Sequence, residues 1–219
     1  MKALIFDFDG LILDTETPVY LSWVEIYQRF ALTLAFDDWA NIIGTSAAEH
    51  FDPFDQIEAQ SDQKLDRKKL SAERRTFELS LISNNLILPG VQHLLDAAQN
   101  AGLKLAVASS SSRDWVEGHL KHLGLIHFFE VICCSEDVPL TKPDPALFLL
   151  VLEQLGLDSR ETIVLEDSPN GVTAAARANI FSVAVPNDMT HGLDFSHADV
   201  QLDSLAEISL DTLIQLAKK

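Results

Sequence analysis

Two aspartates separated by one residue, Asp7 and Asp9, stand where the apolar run Lys2–Phe8 gives way to Gly10. Residues two apart in an extended chain point the same way, so both carboxylates face one side. Gly10 lets the chain leave the strand through backbone angles closed to other residues. Three more polar groups follow the same pattern. Ser109 comes directly after the apolar run Leu103–Ala108, Lys142 sits in Thr141-Lys-Pro-Asp-Pro145 just before a helical pattern, and Glu166-Asp167 follows Thr162–Leu165. Singly, each has an ordinary alternative: a turn, a helix N-cap, a surface charge. In this order and at these positions they describe a single site.

Electrostatics says what that site needs. Two carboxylates about 4 Å apart repel by roughly 4 kcal/mol at an effective dielectric near 20. Asp7, Asp9, Glu166 and Asp167 gathered together repel several times over, and one Lys cannot neutralise four acids. A hard divalent cation with oxygen ligands can, and Mg²⁺ suits a few carboxylates shared with phosphate oxygens. Phosphoryl transfer needs positioning and neutralisation of charge on the equatorial oxygens, which a metal, Lys142 and the Ser109 hydroxyl would supply. These loops hold no thiol or paired histidine, so a carboxylate is the remaining covalent nucleophile.

The elements that must carry these groups are legible from periodicity. Short apolar runs at 2–8, 103–108, 131–134, 162–165 and 181–185 read as buried strands. Between them lie helical patterns at 91–101, 112–123, 145–155 and 170–178, several stopped by Gly or opened by Pro. Strands alternating with helices give an α/β fold with a parallel sheet covered on both faces. Ligands of such sheets bind at the carboxyl ends of the strands. From about Glu16 to Asn85 the alternation stops, with helical stretches at 17–31, 37–43 and about 62–83 and no convincing strand. Some 70 residues far exceed an ordinary connection, so this segment is expected to be an inserted helical domain, with Pro89-Gly90 marking the return.

Composition fits an ordinary globular enzyme. The chain has 219 residues, 47% apolar and 22% charged, with a formal net charge of −17. That charge argues against nucleic acid, which needs clustered Lys and Arg. The basic cluster Lys64, Arg67, Lys68, Lys69, Arg74 and Arg75 reads mainly as the solvated face of a helix. No apolar stretch approaches the ~20 residues of a membrane helix. Asp7 and Asp9 arrive before a signal-peptide core can form, so a cytoplasmic location is expected. Cys133 and Cys134 are adjacent on a strand and point to opposite faces, which makes a disulfide between them implausible and core packing the expected role.

With Asp7-x-Asp9-Gly-x-x-x-Asp14-Thr15, Ser109, Lys142 and Glu166-Asp167 all in order, the sequence resembles the haloacid dehalogenase-like hydrolase superfamily, in its phosphatase and β-phosphoglucomutase-like branch. The resemblance spans essentially the whole chain. It implies a Rossmann-like parallel-sheet core (residues 1–15 and 86–219) with an inserted α-helical cap domain (16–85). It implies that Asp7 attacks phosphorus and binds the metal, and that Asp9 protonates the leaving group and then activates water, while its backbone carbonyl reaches the metal. Ser109 and Lys142 would hold the phosphate, Asp167 with Glu166 would complete a Mg²⁺ site, and Thr15 and Ser110 would border the substrate.

The sequence also departs from the sugar-phosphate mutases of that branch. They carry a His four residues after the Thr of the first motif, where this chain has Val19, and two cations in a cap loop that here reads Ile43-Gly44-Thr45-Ser46-Ala47. Gly44, Thr45 and Ser46 remain the expected cap segment facing the site. The preferred reading is a Mg²⁺-dependent phosphatase of a small phosphomonoester, with a mutase as the alternative. A phospho-accepting receiver or an inactive binding protein is a distant third, disfavoured by the insertion and by Asp9. The expected partner is a small phosphorylated metabolite, not nucleic acid or membrane, acted on by a monomer or weak dimer.

Overall fold

A computed structural model describes residues 1–40 and 51–218. Its centre is a six-stranded, wholly parallel sheet in the order β3-β2-β1-β4-β5-β6. The strands are β1 (Ala3–Phe6), β2 (Lys104–Ala108), β3 (Val131–Cys133), β4 (Thr162–Glu166), β5 (Phe181–Ala184) and β6 (Val200–Gln201). The first five fall within the expected runs, except that β4 carries on to include Glu166. β6 is two residues long, too short to leave a periodic signal.

The alternation of each strand divides its side chains between two cores. Leu4, Phe6, Leu105, Val107, Ile163 and Leu165 face one way. Helices α5 (Val91–Asn100), α6 (Arg113–His122) and α9 (Leu210–Leu216) cover them. Ala3, Ile5, Ala106, Ala108 and Val164 face the other way, under α7 (Ala146–Leu155) and α8 (Pro169–Arg177). Cys133 and Cys134 follow the same rule: both are free and fully buried, one in each core.

Strand β1 lies between β2 and β4, with Phe6 level with Val107 and with Leu165. The strand order reverses on either side of it, and this is where a parallel sheet opens a crevice at its carboxyl edge. The ladder continues into the loops. The Asp7 amide donates to Leu165 O at 3.0 Å and the Ser109 amide to Cys133 O at 3.0 Å. Asp7, Ser109 and Glu166 therefore inherit their positions from the backbone of adjacent strands.

Between β1 and β2 the chain forms α1 (Glu16–Arg29), α2 (Phe36–Ala40), α3 (Pro53–Ser61) and α4 (Arg67–Ile82). These helices share a small core of Ile26, Tyr27, Leu34, Trp39 and Ile57. The helix expected at about 62–83 is α4, whereas α3 before it was not foreseen. Asp52 caps α3 by accepting from the Phe54 amide at 2.8 Å, with Pro53 in the first turn. Asp62 then adopts a left-handed conformation that ends α3, and Asp66 caps α4 by accepting from the Lys69 amide at 3.1 Å. The Asp-Pro start signal at 52–53 was the missed cue. The two crossings to the sheet are tied together: the Leu88 amide donates to Ile12 O at 2.9 Å and Asn85 Nδ2 to Asp14 O at 2.7 Å. Among the described residues no helix is long and apolar enough to cross a membrane.

Candidate active site

Asp7 leaves the tip of β1 into an almost closed environment, with 7% of its surface exposed. The Lys142 ammonium, 4% exposed, reaches it from the loop before α7 and hydrogen-bonds its Oδ1. The same Nζ donates to Ala108 O at 2.6 Å and forms an ion pair with Glu166 Oε1 at 2.5 Å. The last contact is an ion pair rather than a well-aligned hydrogen bond, since Oε1 has no aligned donor. Glu166 Oε2 accepts from Ser168 Oγ at 3.1 Å. Asp7, Glu166 and Asp167 each offer an oxygen within 4.8 Å of the others, and all three are buried.

The charges in this cluster do not balance. Three carboxylates surround one ammonium, a deficit of two positive charges that a divalent cation fits. Burial first, and the neighbouring charges after it, shift the titration of these groups. Burial, against the pull of Lys142, pushes the Asp7 carboxyl up to about 8. Burial, with Asp7 and Glu166 nearby, lifts Asp167 well above its usual value. For Lys142 burial works the other way, but Asp7 and Glu166 outweigh it and hold the ammonium above its usual range.

Two glycines make room for the cluster. A Cβ on Gly171 would lie 1.9 Å from the Glu166 carboxyl, and one on Gly10 would lie 2.2 Å from Asp167 Oδ2. Gly10 also has φ +75°, so the sharp exit from β1 foreseen in the sequence serves a second purpose: it lets Asp167 approach the backbone. Asn187 Nδ2 donates to that same Asp167 oxygen at 2.7 Å and to Gly10 O at 3.2 Å, orienting the carboxylate. Asn187 was not foreseen, although the rule applied to the other strands would have found it, because it lies in the loop just after β5.

Asp9 is placed differently from the expectation that four acids gather. Its carboxylate is not part of the three-acid cluster. Instead it accepts four hydrogen bonds: Oδ1 from Thr15 Oγ1 and Trp115 Nε1, each at 2.8 Å, and Oδ2 from Ser111 Oγ at 2.6 Å and Ser109 Oγ at 3.3 Å. Thr15 and Ser109 were expected near the site. Ser110 was also expected, but its hydroxyl has no hydrogen-bond partner among the described residues, and Ser111 takes the place beside Asp9. Trp115, in the first turn of α6, went unnoticed because an aromatic there reads as core. Gly44, Thr45 and Ser46 lie outside the described residues.

A cavity of about 340 Å³ opens over Asp9, with Glu16, Arg74, Arg75, Glu78 and Trp115 on its walls. Glu78 is 1% exposed and pairs with both Arg74, at 2.6 Å, and Arg75. The solvated-face reading of the basic cluster holds for Lys64, Lys68 and Lys69, which are exposed, and for Arg67, which pairs with Asp52, Asp55 and Glu58 at the surface. Arg74 is the member that turns inward, and Arg75 stays partly exposed while it reaches Glu78. Burial, then the carboxylates of Asp9, Asp7, Asp14 and Glu78, push the Glu16 carboxyl up to about 8.

Comparison with known proteins agrees with this geometry. Residues 4–185 match the family described as haloacid dehalogenase-like hydrolase. The chain is 44% identical over 214 residues, 98% of its length and 96% of the relative's, to the "Putative phosphatase YhcW" of Bacillus subtilis (strain 168). It is 27% identical over 220 residues to the phosphorylated carbohydrates phosphatase of Thermotoga maritima, covering 100% of this chain and 99% of that one. Among solved structures, the β-phosphoglucomutase of Clostridium difficile superposes with a TM-score of 0.78 at 25% identity, over 100% of this chain and 97% of that one. Such hydrolases generally use a divalent metal, and the buried Asp7, Glu166 and Asp167 could hold one. The match over most of the chain, and the motifs it brings to one sheet edge, place the protein in the haloacid dehalogenase-like hydrolase family.

Proposed function

We propose that this hydrolase of phosphoric monoesters uses Mg²⁺ and removes phosphate from a small phosphorylated metabolite through an aspartyl-phosphate on Asp7. One observation carries the reading: the buried Asp7 carboxylate, paired with Lys142, sits within 4.8 Å of Glu166 and Asp167, while Asp9, two residues on, is held by its own donors. A nucleophile and a separate proton carrier on one strand end are what two-step phosphoryl transfer needs.

Asp7, Glu166 and Asp167 would hold the cation, with the Asp9 carbonyl expected to join them. When bound, Mg²⁺ supplies charge that keeps these carboxylates ionised and offsets charge on the phosphoryl oxygens. In the first step an Asp7 oxygen bonds to phosphorus as the bond to the leaving oxygen breaks, and Asp9 gives that oxygen its proton. In the second, Asp9 takes a proton from water. The water oxygen attacks phosphorus, the Asp7–phosphorus bond breaks, and inorganic phosphate leaves. Lys142 and the Ser109 hydroxyl steady the phosphoryl group in both steps.

Residues 16–85 serve as a cap over a core of 1–15 and 86–219. Support comes from the separate packing of Ile26, Tyr27 and Ile57 and from the cavity that α4 closes over Asp9. The likeness to β-phosphoglucomutase favours a sugar-phosphate mutase as a second reading. Val19, on the cavity wall, offers no imidazole for that chemistry. The test is incubation with hexose 1-phosphates and 6-phosphates in Mg²⁺. Inorganic phosphate is the expected product, isomerised ester would favour the mutase, and turnover that persists in excess EDTA would remove the metal from the reading.

A further inference from the structure

Asp9 is surrounded by four donors, but they are not equivalent. Three are hydroxyls, from Thr15, Ser109 and Ser111, whose hydrogens rotate to suit other partners. The fourth, Trp115 Nε1, is a donor only, with its hydrogen fixed in the plane of the ring. Its aim therefore depends on how the indole is held.

The indole is held from two sides. The Arg75 guanidinium, from α4, lies 4.1 Å from the ring centroid, and the His119 ring stands edge-on at 4.2 Å, one turn further along α6. Arg75 is itself anchored by Glu78, a fully buried carboxylate that also takes Arg74. Arg74 ties back to α1, donating to Ser22 Oγ at 2.9 Å and stacking 4.8 Å from the Trp23 ring. The inserted helices thus reach the Asp9 carboxylate through one aromatic ring.

We propose that Trp115 is a positioning residue for Asp9, and that Arg75 acts one contact further out by fixing the indole. The proposal rests on the reading of Asp9 as the acid and base. It concerns neither the metal nor the phosphate contacts. Trp115 sets the direction in which the carboxylate meets the water or leaving group, and Arg75 stops the ring from tipping.

The test uses the full chain in excess Mg²⁺ and an aryl phosphate, with phosphoenzyme formation and breakdown timed separately in single turnovers. An aryl oxide leaves with little help from an acid, so the effect should fall on breakdown. Trp115→Phe keeps a ring for Arg75 and His119 and loses only the N–H. Breakdown should slow about tenfold, the size of one lost hydrogen bond to a charged group, with phosphoenzyme formation nearly unchanged. In an Asp9→Asn background Trp115→Phe should add nothing, because its effect runs through Asp9. Arg75→Met should slow the same step less, and Arg75→Lys should recover most of that loss.

Wild-type breakdown in Trp115→Phe, or its full effect persisting on top of Asp9→Asn, overturns the proposal. Should Trp115→Phe fail to fold, equal breakdown rates for Arg75→Met and the wild type overturn it instead. If Asp9→Asn itself leaves breakdown untouched, the assigned role of Asp9 falls and this inference with it. A slow Asp9→Asn beside a normal Trp115→Phe sinks the inference alone.

Discussion

The two sides of the site are built by different physics. On the sheet side, Asp7, Ser109 and Glu166 continue parallel strands, and their places follow from the hydrogen-bond ladder of a fully buried sheet. On the other side, Arg74, Arg75 and Trp115 project from helix surfaces, and side-chain ion pairs, hydrogen bonds and ring contacts fix where they point. The sheet side concentrates charge in a dry place, where an unmatched carboxylate is costly. The α4 side instead buries one carboxylate, Glu78, and matches it with Arg74 and the partly exposed Arg75. The groups of the proposed chemistry therefore sit on the rigid edge, while side-chain packing sets the opposite wall.

If that division is right, changes on the sheet side should dominate. Asp7→Asn should lower turnover by about 10⁴-fold or more, as removal of a covalent nucleophile does. Normal phosphate release from that variant would end the assignment of Asp7. Asp9→Asn should cost roughly 10²- to 10³-fold and let phosphoenzyme accumulate, visible by acid quench during turnover. Gly171→Ala should weaken Mg²⁺ by about tenfold or more, because the new methyl overlaps the Glu166 carboxyl and displaces it. Unchanged Mg²⁺ titration of activity in that variant would show that Glu166 does not help to hold the cation.

The same comparison predicts a pH signature of smaller size. Burial raises the folded Asp7 carboxyl to about 8 from its ordinary 3.8, so the metal-free folded chain keeps a proton that the unfolded chain has released. This contribution to stability is fully present below about pH 4 and is lost as pH rises toward 8. The melting temperature of EDTA-treated protein should therefore fall between about pH 5 and about pH 8, and Asp7→Asn should make the fall shallower. An identical slope in the variant would contradict the burial argument. Smallest of all should be Arg67→Ala, which removes exposed ion pairs to Asp52, Asp55 and Glu58 and should scarcely move the melting temperature.

Much of the sheet side was legible in advance, and little of the cap side was. Lys142 and the Glu166-Asp167 pair were found by position alone, because the rule that strand tips share an edge needs only strand boundaries. The same rule covers Asn187, which follows the tip of β5. Trp115 and Arg75 could not be found that way. A Trp in the first turn of a helix, or an Arg in a basic run, has the same local signature whether it faces water, core or ligand. Helix α3 was missed as well: Asp52 and Pro53 open it and the left-handed Asp62 closes it after nine residues, too short a run to show a periodic apolar face.

The sequence by itself determined that acids, a serine and a lysine meet at one sheet edge. Alternation of apolar runs dictates a parallel sheet, and a parallel sheet has only one carboxyl edge. Tertiary structure alone decided that Asp9 stands apart from the three-acid cluster and that Trp115 and Arg75 lean toward it. Those placements come from the docking of helix surfaces, where rotation by a single residue turns a side chain about 100° away from its partner.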